Sequence, residues 1–190
     1  LAIRDNVTPF QKWGSRQFTW PRLNAGYDAV WYFTQTTADS SRETFLAQLE
    51  QALERYPAVD LYLLAHHNNY ADWVAQVPAG ARSHLRLVYN TGCRNLPQGP
   101  TWLKLGARAY VGHPGQSASP VFYFFFLRRW MRGDTLDEAI NEANRLLRVE
   151  LNRAEVLSLG RMDAGKAFKA SAAAGVGMLQ FRLDGNGEIP

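Results

Sequence analysis

The sequence predicts an α/β fold, a three-layer sandwich around a mostly parallel central sheet. Three observations carry that expectation. Strand-forming runs and helix-period segments alternate along the chain, which is the pattern of layered α/β domains. The run Val59-Asp60-Leu61-Tyr62-Leu63-Leu64-Ala65 is nearly unbroken in apolar character, as a strand covered on both faces must be. The 190 residues, 46% of them hydrophobic and 13% aromatic, are enough to build one sizeable core.

Residues 1–26 mix polar and aromatic side chains with two prolines and two glycines and show no sustained period. They read as an irregular N-terminal arm packed locally through Trp13, Phe18 and Trp20, ahead of one α/β domain over residues 27–190. Ala29–Phe33 is a short run of strand formers. Ser40 or Ser41 is placed to cap a helix whose apolar residues Phe45, Leu46, Leu49, Leu53 and Tyr56 recur at helical spacing up to Pro57. The Val59–Ala65 strand follows, then a short helix or turn over Tyr70–Val77, and buried strands at Leu85–Tyr89 and Ala107–Val111. The apolar stretch from Pro120 to Trp130 exceeds the usual strand length and is expected to be a buried helix. Leu136, Ile140, Ala143, Leu147 and Leu151 mark one face of a further amphipathic helix. Met178–Leu183, followed by the turn residues Asp184-Gly185-Asn186-Gly187, predicts a terminal strand or hairpin.

Composition narrows the functional classes. A formal charge of +4 comes from 21 Lys and Arg against 17 Asp and Glu, scattered rather than gathered into a tail. The aromatic residues fall in core patterns and the basic residues do not interleave with them, so nucleic-acid binding is not predicted. No segment is long and apolar enough to span a bilayer, since the aromatic run Val121–Leu127 is followed at once by Arg128 and Arg129. A single cysteine excludes an internal disulfide and a Cys-rich metal site. The chain starts at Leu1 without a visible leader pattern, which leaves cytoplasm and export after leader removal both open. Oligomeric state is not specified.

Two strand ends gather the reactive side chains. One reads Ala65-His66-His67-Asn68-Asn69, the other Tyr89-Asn90-Thr91-Gly92-Cys93-Arg94-Asn95. In a parallel sheet the carboxyl ends share one edge, where ligands bind. If the two strands are parallel neighbours, the only cysteine meets a histidine there. A thiol titrates near pH ~8.5 in isolation, and an adjacent imidazolium or Arg94 favours its thiolate. His66 and His67 point to opposite sides of an extended chain, so at most one of them faces the thiol unless the backbone turns between them. Gly92 and Asn68 are placed to present backbone N–H groups to an oxyanion. The plainer alternative makes Cys93 a small buried hydrophobe and the histidines polar loop residues. The loop Gly112-His113-Pro114-Gly115 lacks the ending of a phosphate-binding loop, and Ser117 and Ser119 stand outside a nucleophile-elbow context. Convergence of His66, His67 and His113 lacks acidic ligands, so no metal is predicted.

The order of these motifs resembles the caspase-like cysteine peptidase superfamily (clan CD), which includes caspases, metacaspases, gingipains, legumains and CHAT-type domains. The likeness rests on the strand running from Asp60 to His67, the strand from Leu87 to Cys93 with Gly92 in the small-residue place, Gly106–Gly112, and Phe122–Trp130 with Gly133, Leu136, Glu138 and Ala139. It covers roughly residues 28–150. The resemblance implies a peptidase with a Cys93–His67 or Cys93–His66 dyad, a protein or peptide substrate and no cofactor. In that family glycine normally follows the histidine; here Asn68 follows His67, and His67 follows His66. The other reading is a caspase-like interaction or regulatory module without hydrolysis.

Overall fold

Six strands among the described residues form one sheet, and the sequence explains β3 and β4 best. The computed structural model describes residues 1–5, 9–34, 42–65, 70–117 and 121–183. In chain order these hold β1 (Ala2–Asp5), α1 (Pro9–Phe18), α2 (Trp20–Gly26), β2 (Tyr32–Thr34), α3 (Arg42–Arg55), β3 (Val59–Ala65), α4 (Tyr70–Val74), α5 (Ala79–Arg82) and β4 (Leu85–Asn90). There follow α6 (Gly99–Lys104), β5 (Ala109–Gly112), a π-helical turn (Val121–Phe126) continuing into α7 (Leu127–Trp130), α8 (Leu136–Leu157), α9 (Ala164–Ser171) and β6 (Ala174–Gly177).

The strand order is β2-β1-β3-β4-β5-β6. The first five are parallel and β6 runs antiparallel to β5. The expected mixed α/β architecture with a largely parallel sheet is therefore present. All seven residues of β3 are buried, because apolar side chains leave it in both directions. Tyr62 and Leu64 join a core with Tyr89, the 121–130 helix and α8, whereas Leu61, Leu63 and Ala65 join a second core with α3, α4 and α6. Helices thus cover both faces of the sheet.

The periodic segments fold as their spacing dictates. In α3, Phe45, Leu49, Ala52 and Leu53 are buried along one stripe. The cap expected at Ser40 or Ser41 lies outside the described residues. In α8, Thr135 accepts from the Glu138 N–H while the Glu138 carboxylate accepts from the Thr135 N–H, a reciprocal box that satisfies two of the free amides of the first turn. The apolar run ending at Trp130 is helical, as expected from its length.

Two expectations are corrected. Residues 1–26 are not an irregular arm: β1 lies inside the sheet between β2 and β3, and two helices follow it. Four residues, two apolar followed by two charged, give β1 no readable alternation, and its strand character comes from pairing on both sides. The last strand is Ala174–Gly177 rather than Met178–Leu183. Its glycines permit close approach: a Cβ on Gly177, which has φ +89°, would come within 2.4 Å of the Arg108 carbonyl oxygen. The apolar 178–183 segment instead uses the carbonyls of Leu179 and Phe181 to accept the Asp137 and Leu136 amides at the start of α8.

A β-bulge shapes the amino end of the β3–β4 pair. The register steps from Val59↔Leu85 to Asp60↔Leu87, so Arg86 is the extra residue. Its guanidinium forms a two-pronged bond to Asp60, Nε to Oδ1 at 2.8 Å and Nη2 to Oδ2 at 2.7 Å. Tyr27 donates its hydroxyl to Asp60 Oδ2 at 2.5 Å, and Trp130 Nε1 donates to the Tyr27 hydroxyl at 3.1 Å. The aromatic rings of Trp130 and Phe181 lie against the same guanidinium. Burial works against the Arg86 charge, but the Asp60 carboxylate and its hydrogen bonds more than restore it and hold Arg86 above its ordinary range.

Candidate active site

The cysteine sits on a turn whose every neighbour is fixed. The β3–β4 ladder continues past Asn90, because the Thr91 N–H donates to the Leu63 carbonyl at 2.8 Å. The Asn90 side chain then folds forward, and its Oδ1 accepts the Gly92 N–H at 3.0 Å in an Asx turn. Cys93 follows, partly exposed, and Arg94 adopts the left-handed conformation at φ 54° with its side chain exposed. That reversal is anchored by the Arg94 N–H, which donates to the Gly115 carbonyl at 2.7 Å.

Asn95 closes the turn from inside. Its Nδ2 donates to the Asn90 carbonyl at 2.8 Å, and its Oδ1 accepts the His113 N–H at 2.8 Å. The buried Tyr110 hydroxyl donates to the Asn95 carbonyl at 2.7 Å. Gly112 permits this contact, since a Cβ there would lie 2.8 Å from both Asn95 Oδ1 and Tyr110 Cε1. Buried amide networks of this kind hold a single geometry, because any shift strands a polar group away from water. Asn90, Asn95 and Tyr110 were not visible as site-builders in the sequence, where the only cue is two asparagines flanking Gly92-Cys93.

β3 and β4 are adjacent and parallel, in register from Leu61↔Val88 to Leu63↔Asn90, so Ala65 and Asn90 end on the same edge. Cys93 comes three residues after the end of β4, and His66 is the residue after the end of β3. His66, His67 and Asn68 themselves lie outside the described residues. Gly92 is buried, and its N–H is engaged by Asn90, so an oxyanion would have to displace that bond to use it. The Cys93 N–H makes no hydrogen bond among the described residues.

His113 has a different environment. It is fully buried at the end of the β5 strand, with Nδ1 3.0 Å from the Ser171 carbonyl and Nε2 without a partner among the described residues. The bond to a carbonyl acceptor makes Nδ1 the protonated nitrogen of the neutral ring. Desolvation pushes its pKa below the ordinary imidazole value, partly opposed by backbone hydrogen bonds to Ser171 and Ala172. A depressed histidine pKa means that the unfolded chain takes up a proton first on acidification. The contribution of His113 to stability is therefore complete above pH ~6.5 and is lost as pH falls toward its folded value. Urea midpoints recorded at pH 7.5 and 5.5 are expected to fall more in the parent than in His113→Gln. Equal falls would show that the ring exchanges protons freely in the fold.

Among the described residues, no group of three or more His, Cys, Asp or Glu could hold a metal ion, and no helix is long and apolar enough to cross a membrane. Comparison with known proteins finds no matching family model, no matching curated protein and no matching solved structure.

Proposed function

We propose that the chain is a caspase-like, cysteine-dependent peptidase that uses Cys93 as nucleophile and His67 or His66 as base. The observation that supports this reading is the adjacency of β3 and β4, parallel strands that end on one edge of the sheet just before His66-His67 and shortly before Cys93 in sequence. Strand order supports it as well. The chain direction of assembly reverses between β1 and β3, and in open parallel sheets ligands enter at the carboxyl ends of such a switch point. The partly exposed Cys93 on a turn whose backbone is fixed by Asn90, Asn95 and Gly115 suits a nucleophile presented from a rigid support.

In this mechanism the histidine takes the Cys93 proton and the thiolate sulfur attacks the scissile carbonyl carbon. The tetrahedral oxyanion is stabilised by backbone N–H groups, among them that of Cys93. The histidinium returns its proton to the departing amine as the C–N bond breaks, leaving a thioester. Water, deprotonated by the same histidine, then releases the carboxylic acid and restores the thiol. No cofactor enters, and the substrate is a protein or peptide.

The second reading, a caspase-like interaction module without hydrolysis, draws on the Gly92 N–H. Its bond to Asn90 Oδ1 leaves that amide closed to an oxyanion. Alkylation of Cys93 by iodoacetamide across pH 5–9 separates the two. For the peptidase, reaction stays fast well below pH 8 and is lost in one of His66→Ala and His67→Ala. A rate that climbs only near pH ~8.5, untouched by either substitution, supports the module instead.

A further inference from the structure

A cavity of about 590 Å³ opens in the helical layer, lined by α2, the 121–130 helix and α8. Its size falls in the range of ligand-binding clefts, roughly 300–1,000 Å³. It shares no residue with the Cys93 turn. Its floor is apolar, built by Phe125, Met131 and Leu146, and its charged groups are Arg22, Arg128 and Arg132. Among the described residues, no carboxylate lines it. The acidic groups along the neighbouring helices are committed elsewhere: Asp134 pairs with Arg129, Glu142 with Arg145, and Glu138 closes the α8 cap and faces Arg182.

Three guanidinium groups lining one cavity without a counter-charge among the described residues is an unfavourable arrangement. Arg128 on α7 and Arg132 in the turn that follows it line the same cavity, where like charges repel. Arg22 is held in place by donating to the Tyr123 carbonyl. Burial and the nearby Arg128 both lower its pKa, so it experiences that positive field directly. An anion bridging these groups would remove the repulsion, and guanidinium forks match carboxylate oxygens two at a time.

The rim extends the site sideways. Phe124 lines the cavity and remains 39% exposed, its ring 4.7 Å from that of Phe18, which in turn meets the 54% exposed Trp13 edge-on at 5.8 Å. A row of aromatic rings leading into a cationic cavity has the shape of a track for an extended chain, with apolar side chains on the rings and acidic ones at the arginines. We propose that the Arg22–Arg128–Arg132 cavity and its aromatic rim are a docking site for an acidic peptide segment carrying apolar residues. A recessed floor and a guanidinium fixed by a backbone carbonyl favour discrete carboxylates over the diffuse charge of a lipid surface.

Fluorescence anisotropy with a labelled hexapeptide of alternating Glu and Leu tests the site, with its Gln–Leu counterpart as control. The acidic peptide is expected to bind saturably and at least about tenfold more tightly than the Gln form, with affinity falling as salt rises. The Arg128→Gln/Arg132→Gln double variant, altered at exposed positions, is expected to erase that preference with an unchanged urea midpoint. The exposed Arg161→Gln is expected to leave it intact. Absence of saturable binding, equal affinity for both peptides, or an unaffected double variant would overturn the proposal. Sedimentation with phosphatidylserine-containing vesicles that needs Arg128 and Arg132, without peptide binding, would overturn it in favour of a membrane surface.

Discussion

Under the proposed peptidase reading, Cys93→Ala is expected to lower peptide hydrolysis by a factor of ~10³ or more, equivalent to at least about 4 kcal/mol of transition-state stabilisation. Without the thiol there is no covalent acyl intermediate, and the histidine alone has no nucleophile of comparable strength to activate. The same substitution removes one sulfur atom from a partly exposed position, so the urea midpoint is expected to hold. The measurement is turnover of a quenched fluorescent peptide library by the parent and the variant at matched concentration. Hydrolysis that persists in Cys93→Ala at the parental rate would remove Cys93 from the chemistry altogether. A parent that cleaves nothing, with a thiol no more reactive than a free one, would leave the interaction module.

The second large effect concerns stability. Asp60→Asn is expected to cost roughly 3–5 kcal/mol, read as a loss of urea midpoint at constant slope. The substitution preserves shape but leaves the Arg86 charge buried beside Tyr27, Tyr62 and Trp130 with no carboxylate to meet it. Asp60 is 2% exposed and Arg86 5%, so water cannot take over the lost partner. Burial first, then the Asp60 charge, keeps the phenols of Tyr27 and Tyr62 protonated far above the ordinary range, so neither can supply the missing negative charge. An apolar pair, Asp60→Leu with Arg86→Met, is expected to be less destabilised than Asp60→Asn alone, since it removes both desolvation costs together. A loss below about 1 kcal/mol in Asp60→Asn would mean that the pair behaves as an exposed one.

The contrast between legible and illegible parts follows from how far each signal extends along the chain. β3, β4, α3 and α8 announce themselves because their own residues carry the apolar run or the helical period. β1 and β6 do not, because their strand character is supplied by neighbours: β1 by pairing on both sides, β6 by the fit of glycines against Arg108 and Leu179. The Asp60–Arg86 pair was equally hidden, since 26 residues and a bulge separate the partners. At the thiol, the strand end and the turn before Cys93 could be read from Asn90-Thr91-Gly92. The clamp formed by Asn95, Tyr110 and His113 could not, because it joins segments that meet only after β5 takes its place beside β4.

Among the described residues, the two margins of the sheet are short, three residues in β2 and four in β6. An added strand from another chain gains affinity from a run of backbone hydrogen bonds, and along strands this short it would find only two or three of them. The glycines of β6 further deprive a newcomer of side chains to grip. The two longest strands, β3 and β4, stay in the interior, while the described borders offer little to copy, which works against the sheet growing sideways into a fibre.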